Sequence, residues 1–274
     1  MSKNDERSVV KDDAWEEVLA SLCRLQGVLP EAVLVGGTAS ALYAGHRFSF
    51  DHDHVLPDLR KRFDTVLTEL ESVAGWETAR VNRPVLILGS LDGVETGVRQ
   101  LRRARPLETT VMRMGSHDVV LPTLPEVLRI KSFLCLERNA TRDYLDLAAL
   151  AEHMGINVAG EALWSMDDLY KQKSGGAWVV RTQLMMQLAA PPPYDLDKVD
   201  LAEYKGVRPP FDRWEHVADV CGKLSDWLLN ACEKALHIDQ STEAQQTQGK
   251  IDAWRDARAA GQTPPPVLLP GLDT

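Results

Sequence analysis

"LVGGTASALYAGHRFSFDHDHVL", residues 34–56, decides how the rest of the chain is read. The apolar run "AVLVGG" predicts a short buried strand that ends in a turn at Gly36 and Gly37, and Thr38 opens a short helix, "TASALYAGH". Alternation in "FSFDHDHV" predicts the next strand. Residues two apart on a strand share a face and lie roughly 6.5–7 Å apart at Cα. Asp51 and Asp53 therefore stand side by side, and His52 and His54 turn the other way, toward the core, where they are expected to find hydrogen-bond partners. Two carboxylates held that close repel each other unless something positive lies between them. A pair of hard cations about 3.5–4 Å apart answers that need. Mg²⁺ (or Mn²⁺) is the natural candidate, because it takes oxygen ligands and keeps phosphates and waters in its shell.

Metal ions on an aspartate pair equip a protein for in-line attack on the α-phosphate of a nucleotide. The glycine turn fits the same chemistry. Without Cβ atoms, Gly36 and Gly37 let backbone N–H groups approach phosphate oxygens. Thr38 can cap the following helix, whose positive end favours an anion, and its hydroxyl can donate to phosphate. A glycine pair or a D-x-D alone is weak. Strand, Gly-Gly-Thr, helix and D-x-D on the next strand, in that order, is far more specific.

Working outward, apolar residues at helical spacing predict a helix over 12–27, and "PDLRKRFDTVLTELESVAGW" (57–76) predicts another. "WETARVN", "PVLILGSL", "GVETGVRQL", "TTVMRM" and "HDVVL" follow as strands separated by turns. Thr123 and Glu126 form a T-x-x-E capping box for a helix that reaches about residue 138. "DYLDLAALAEHMG" is a further helix closed by Gly155. "AAPPPYDLDKVD" reads as a linker, "RWEHVADVCGKLSDWLLNACEKAL" as a long amphipathic helix, and "TPPPVLLPGLDT" as a poorly ordered tail from about residue 262. Strands cluster instead of alternating with helices, so the expected class is α+β. A mixed-sheet domain at 1–121 precedes an all-helical region at 122–274.

The chain has 274 residues, 44% hydrophobic and 26% charged, with a net charge of −9. The charge is uneven: −6 over 1–79, +5 over 80–142 and −8 over 143–274. The basic middle block is either a solvated face or a local attractor for a polyanion. No run approaches the ~18 apolar residues that cross a bilayer, and the polar, acidic start is no signal peptide. The scattered cysteines, Cys23, Cys135, Cys221 and Cys232, suit reduced core thiols. A cytoplasmic protein without a membrane partner is expected.

The order of motifs resembles the nucleotidyltransferase fold of DNA polymerase beta, and in detail the AbiEii/AbiGii toxin family of nucleotidyltransferases. The residues that carry the resemblance are Gly36-Gly37-Thr38, "RFSFDHD" with Arg47, Ser49, Asp51 and Asp53, Lys131 in "EVLRIKSFLCLERN", and "RDYLD" with Arg142, Asp143 and Asp146. It covers roughly residues 30–155; residues 156–274 carry no matching motif. The resemblance implies a polymerase beta-like core in which Asp51 and Asp53 bind metal. Gly36, Gly37, Thr38, Arg47 and Ser49 would hold the nucleotide, Lys131 would neutralise its phosphates, and Asp146 would orient the lysine or activate the acceptor. From the residues alone, Lys131 snorkels or faces a cleft, and Asp143 caps its helix or serves the site. The fold also implies a third metal carboxylate on a neighbouring strand. Glu95 is the best placed and Asp92 the second. The family pattern has apolar neighbours around the aspartates where this chain has His52 and His54. Arg99, Arg102, Arg103 and Arg142 are candidate contacts to an RNA backbone.

The resemblance further implies transfer of a nucleoside monophosphate from a nucleoside triphosphate to RNA, at the 3′ end of tRNA. It also implies service as the toxin of a type IV toxin–antitoxin system, with an antitoxin protein as partner. Two other functions fit the residues: a small-molecule nucleotidyltransferase of the antibiotic-modifying kind, and a degenerate domain that binds a nucleotide or partner without turnover.

Overall fold

The computed structural model describes residues 3–103, 105–170, 180–238 and 242–261. The chain is α+β, as its pattern of strands and helices predicts. It forms two compact units, one of 1–127 with 200–213, the other of 128–199 with 214–274. The sequence suggested a border at 121/122 and no return of the chain to the first unit. The tail from 262 lies outside the described residues.

The first unit is built on a five-stranded sheet in the order β1-β2-β5-β4-β3. These are β1 (Val33–Val35), β2 (Asp51–Leu56), β3 (Trp76–Asn82), β4 (Leu86–Leu91) and β5 (Val94–Gln100). Only β2 and β5 run parallel; β1–β2, β5–β4 and β4–β3 are antiparallel. Helix α1 (Lys3–Val28) begins well before the predicted residue 12, because its polar start is free of glycine and proline and rich in helix formers. Helix α2 (Gly36–Ala44) joins β1 to β2. Helix α3 covers only Phe63–Glu71. The predicted first turns, 57–62, are taken by turns with Lys61 N–H bonded to the Asp58 carbonyl and Arg62 N–H to that of Leu59. Arg62 there bridges Glu31 and Asp58.

One face of the sheet carries the core. Leu25 and Leu29 of α1 and Phe63, Val66, Leu67 and Leu70 of α3 pack with Leu56, Ile87, Leu91 and Val98 of the strands. Each such side chain contributes about 1.5–3 kcal/mol by leaving water. A hairpin of β6 (Thr109–Met114) and β7 (His117–Pro122) is tied on by Gln26, whose side chain bonds both the N–H and the carbonyl of Val120. The predicted capping box does not form. Among the described residues the Thr123 hydroxyl has no partner, and buried Glu126 instead meets Arg103 at 2.6 Å. Burial in a dry site makes that charge pairing the stronger demand on the glutamate.

Helix α4 (Leu124–Glu137) contains the border between the units. The second unit continues with α5 (Thr141–Met154), α6 (Ile156–Trp164), α7 (Met166–Leu169), α8 (Val180–Ala189), α9 (Trp214–Ile238) and α10 (Thr242–Ala259). Helix α9 is the axis, with Val217, Val220, Cys221, Leu224, Leu228 and Leu229 forming a buried stripe. It touches α5, α6, α8 and α10. All four cysteines are free thiols, three of them buried, and burial pushes every one upward, Cys221 to about 12 and Cys232 to about 11. Among the described residues no helix is long and apolar enough to cross a membrane.

Candidate active site

Strand β2 lies between β1 and β5, so its backbone is fixed on both sides. Its burial alternates residue by residue. Asp51, Asp53 and Val55 are half-exposed, while His52, His54 and Leu56 are buried. The two carboxylates thus share the wetter face, as the alternation predicts. Asp51 Oδ1 accepts from the Ser49 hydroxyl at 2.9 Å and has the Lys205 ammonium 3.7 Å away. Asp53 Oδ1 has Arg99 Nε at 3.4 Å. The second oxygen of each carboxylate accepts no hydrogen bond among the described residues, so each aspartate keeps an oxygen for a ligand.

The glycine turn shapes this corner, though differently from expectation. Gly36 begins α2 at φ +81, a conformation that disfavours any side chain. A Cβ on Gly37 would fall 2.5 Å from Arg47 Nη2 and 3.0 Å from Ser49 Oγ. The bare Gly37 backbone therefore gives room to the guanidinium and the hydroxyl. Arg47 is 6% exposed and donates from Nη1 to the Phe48 carbonyl at 2.8 Å. Thr38 does not cap α2. Its buried hydroxyl donates to the Asp51 carbonyl, tying the helix to the strand that carries the aspartates.

The neighbouring strand places Glu95 in register with Asp51 and Gly97 with Asp53. Glu95 is exposed on the carboxylate face. Asp92 sits in the turn before it at φ +54 and pairs with Arg24. Among the described residues no group of three or more histidine, cysteine or acidic side chains converges as a metal site, so Glu95 does not close one with the aspartate pair. Of the arginines assigned to RNA, Arg99 sits at Asp53, Arg102 is exposed, and Arg142 is exposed in the second unit. The Arg103 side chain is 5% exposed, is held by Glu126 and donates to the carbonyls of Arg105 and Pro106.

The histidines point into the core as expected, but only one is satisfied. His52 lies with Nε2 3.0 Å from Ser21 Oγ and Nδ1 3.0 Å from Thr96 Oγ1. Those hydroxyls also reach the carbonyls of Leu91 and His52. A neutral ring donates from one nitrogen and accepts at the other, so one hydroxyl must give its proton to the ring. Burial pushes His52 down to about 4, against the pull of Asp51. His54 is wholly buried, its ring 5.2 Å from that of His52, and neither nitrogen has a partner among the described residues. Burial and then His52 hold it well below the ordinary histidine range.

Lys131, Asp143 and Asp146 form a cluster of their own in the second unit. The ammonium is 2.7 Å from Asp146 Oδ2 and 3.5 Å from Asp143 Oδ1. Lys131 is 4% exposed and both aspartates are fully buried. Asp143 does not cap its helix: the first N–H of α5, at Thr141, donates to Asp195 Oδ1 at 2.7 Å, and among the described residues Oδ2 of Asp143 is without a partner. Lys131 neither snorkels nor stands free; two carboxylates already neutralise it. Lys205 was missed by sequence reasoning. Its flank, "EYKGVRPP", carries no motif, and only the fold brings it to Asp51.

No family model matches the chain. The curated relatives are mycobacterial transporters. "Heme uptake protein MmpL11" of Mycobacterium tuberculosis is 35% identical over 130 residues, 47% of this chain and 13% of that protein. "Mycolic acid-containing lipids exporter MmpL11" of Mycolicibacterium smegmatis is 32% identical over 136 residues, 49% of this chain and 14% of that protein. The chain spans about an eighth of these relatives, whose names describe the long proteins and assign nothing to it. Among solved structures, an antigenic nucleotidyltransferase-like protein from Paracoccidioides brasiliensis is 18% identical with TM-score 0.41, over 57% of this chain and 87% of that one. A provisionally assigned nucleotidyltransferase from H. pylori is 16% identical with TM-score 0.45, over 86% of this chain and 99% of that one. At these values neither bears on activity.

Proposed function

We propose that the chain is a metal-dependent nucleotidyltransferase that moves a nucleoside monophosphate from a nucleoside triphosphate to an RNA hydroxyl, at the 3′ end of tRNA. In this reading it is the toxin of a type IV toxin–antitoxin system, acts in the cytoplasm and is restrained by an antitoxin protein. The observation that carries the enzymatic part is the pair Asp51 and Asp53 on one face of β2, each with one oxygen uncommitted. All-oxygen donors of this kind suit Mg²⁺ or Mn²⁺. When bound, the metal supplies charge neutralisation at the α-phosphate and activation of the attacking oxygen.

The chain's own residues do the rest. Ser49 holds Asp51 in place, and Thr38 fixes its backbone. Gly36 and Gly37 at the start of α2 offer an approach for phosphates. The acceptor oxygen bonds to the α-phosphorus as the bond to the α–β bridging oxygen breaks, and pyrophosphate leaves. The hydroxyl proton passes to a nearby carboxylate, with Glu95, in register with Asp51 on the neighbouring strand, available for it. Exposed Arg102 receives RNA phosphates, while Arg99 stays beside Asp53. Lys131 and Asp146 position the helices that bear them, since their charges cancel locally.

The test is incubation of the protein with each labelled nucleoside triphosphate and total RNA, with and without Mg²⁺, for wild type and Asp51→Ala. Label enters RNA only with wild type and metal. Transfer that survives Asp51→Ala overturns the site. One observation favours a second reading. Each aspartate already has a cation nearby, Lys205 or Arg99, as a nucleotide-binding domain without turnover would show. Nucleotide binding indifferent to Mg²⁺ would decide for it.

A further inference from the structure

The chain returns to the first unit for 200–213, although the residues on both sides belong to the second. The returned segment is fastened to the loop between α2 and β2. Phe48 N–H donates to the Lys205 carbonyl at 3.0 Å, and Arg208 N–H donates to the His46 carbonyl at 2.8 Å. Arg208 lies 5.6 Å above the Phe48 ring, and Phe211 meets His46 edge-on at 6.0 Å. This loop also carries Arg47 and Ser49.

Lys205 has φ +42 and Gly206 φ +63. A long side chain at positive φ is uncommon and persists only where the surroundings enforce it. Here the enforced backbone aims the ammonium at Asp51, 3.7 Å from Oδ1 and 5.9 Å from the centre of the exposed Phe50 ring. Neither contact is a hydrogen bond, and the side chain is one-third exposed. Three N–H donors thus sit beside the carboxylate pair with no close acceptor among the described residues. Three other candidate cations are committed. Lys131 is held between two aspartates, Arg47 is buried against a carbonyl, and Arg99 faces Asp53.

We propose that Lys205 binds the terminal phosphates of a nucleoside triphosphate held at Asp51 and Asp53. The assignment rests on the nucleotidyltransferase reading and adds the cation which that reading lacks. A compact ammonium on a flexible stem serves phosphate as a point charge. Before the nucleotide arrives, the same charge offsets part of the repulsion between the aspartates.

The test is calorimetric titration of the full chain with a non-hydrolysable nucleoside triphosphate and with the matching monophosphate, both with Mg²⁺. Wild type, Lys205→Gln, Lys205→Met, Lys205→Arg and Asp51→Ala are compared. Expected is a loss of about tenfold in triphosphate affinity for Lys205→Gln and Lys205→Met, the size of one charged hydrogen bond. Monophosphate affinity stays within about twofold, and Lys205→Arg restores part of the loss. Thermal unfolding verifies that the variants fold, and Lys205→Met keeps the side-chain stem. Wild type that binds the triphosphate no better than the variants overturns the proposal alone, leaving Lys205 as a counter-ion of Asp51. Wild type that binds no triphosphate overturns the nucleotidyltransferase reading as well.

Discussion

The molecule holds two pairs of aspartates with a lysine, and they are opposites. On β2 the pair is half-exposed, its lysine stands 3.7 Å off and each carboxylate has an oxygen to spare. On α5 the pair is fully buried and its lysine lies 2.7 Å from one partner. Charges in a dry interior must be matched there or the fold suffers, whereas charges at a wet surface can wait for a ligand. The contrast separates a cluster that keeps carboxylate oxygens uncommitted from one whose charges meet in the interior, even though the resemblance places both in one set of motifs.

The sharpest way to break this contrast is to remove one aspartate from each. Asp51→Ala is expected to abolish nucleotide transfer while moving stability by no more than about 0.5 kcal/mol, as for an exposed site. Asp146→Ala strips Lys131 of its nearer partner and is expected to cost about 3–5 kcal/mol. Urea unfolding of both variants reads the difference; equal stability losses would erase it.

Acid extends the comparison to the buried face of β2. His52 is held at about 4 when folded, against an ordinary 6.5. Between those values the unfolded chain binds the extra proton, so stability falls as pH falls through that window, by about 3 kcal/mol for this group. His54 acts in the same direction. Unfolding free energies at pH 7 and pH 4 are expected to differ by at least that amount, and His52→Gln should shrink the difference. A flat profile would mean that the rings are hydrated.

The smallest effects divide two adjacent arginines. Arg103→Ala leaves Glu126 buried without its partner and should cost about 3 kcal/mol in stability. Arg102→Ala should leave stability within about 0.5 kcal/mol and reduce the salt dependence of RNA binding by about one unit of slope. Filter binding at several salt concentrations checks the second point.

Much of this was legible in the sequence because it depends on near neighbours. The period of two in "DHDHVL" fixes which side chains face the core, and the strands from Trp76 to Pro122 follow from their own alternation and turns. What escaped depends on distant partners. Thr38 meets the Asp51 carbonyl instead of its helix, Glu126 meets Arg103 instead of the cap, and Lys205 reaches Asp51 across more than 150 positions of chain. Local pattern carries no trace of such meetings. The shortened start of α3 has the same cause, since Arg62 is drawn to Glu31.

The late return of 200–213 to the first unit has a consequence for synthesis. A ribosome adds roughly 5–20 residues per second. The nascent sheet and its aspartates are therefore complete for several seconds before the ammonium at 205 and the partners of His46 and Phe48 emerge. If the protein damages the cell that makes it, this delay keeps each nascent molecule without its Lys205 cation until the chain has grown past that residue.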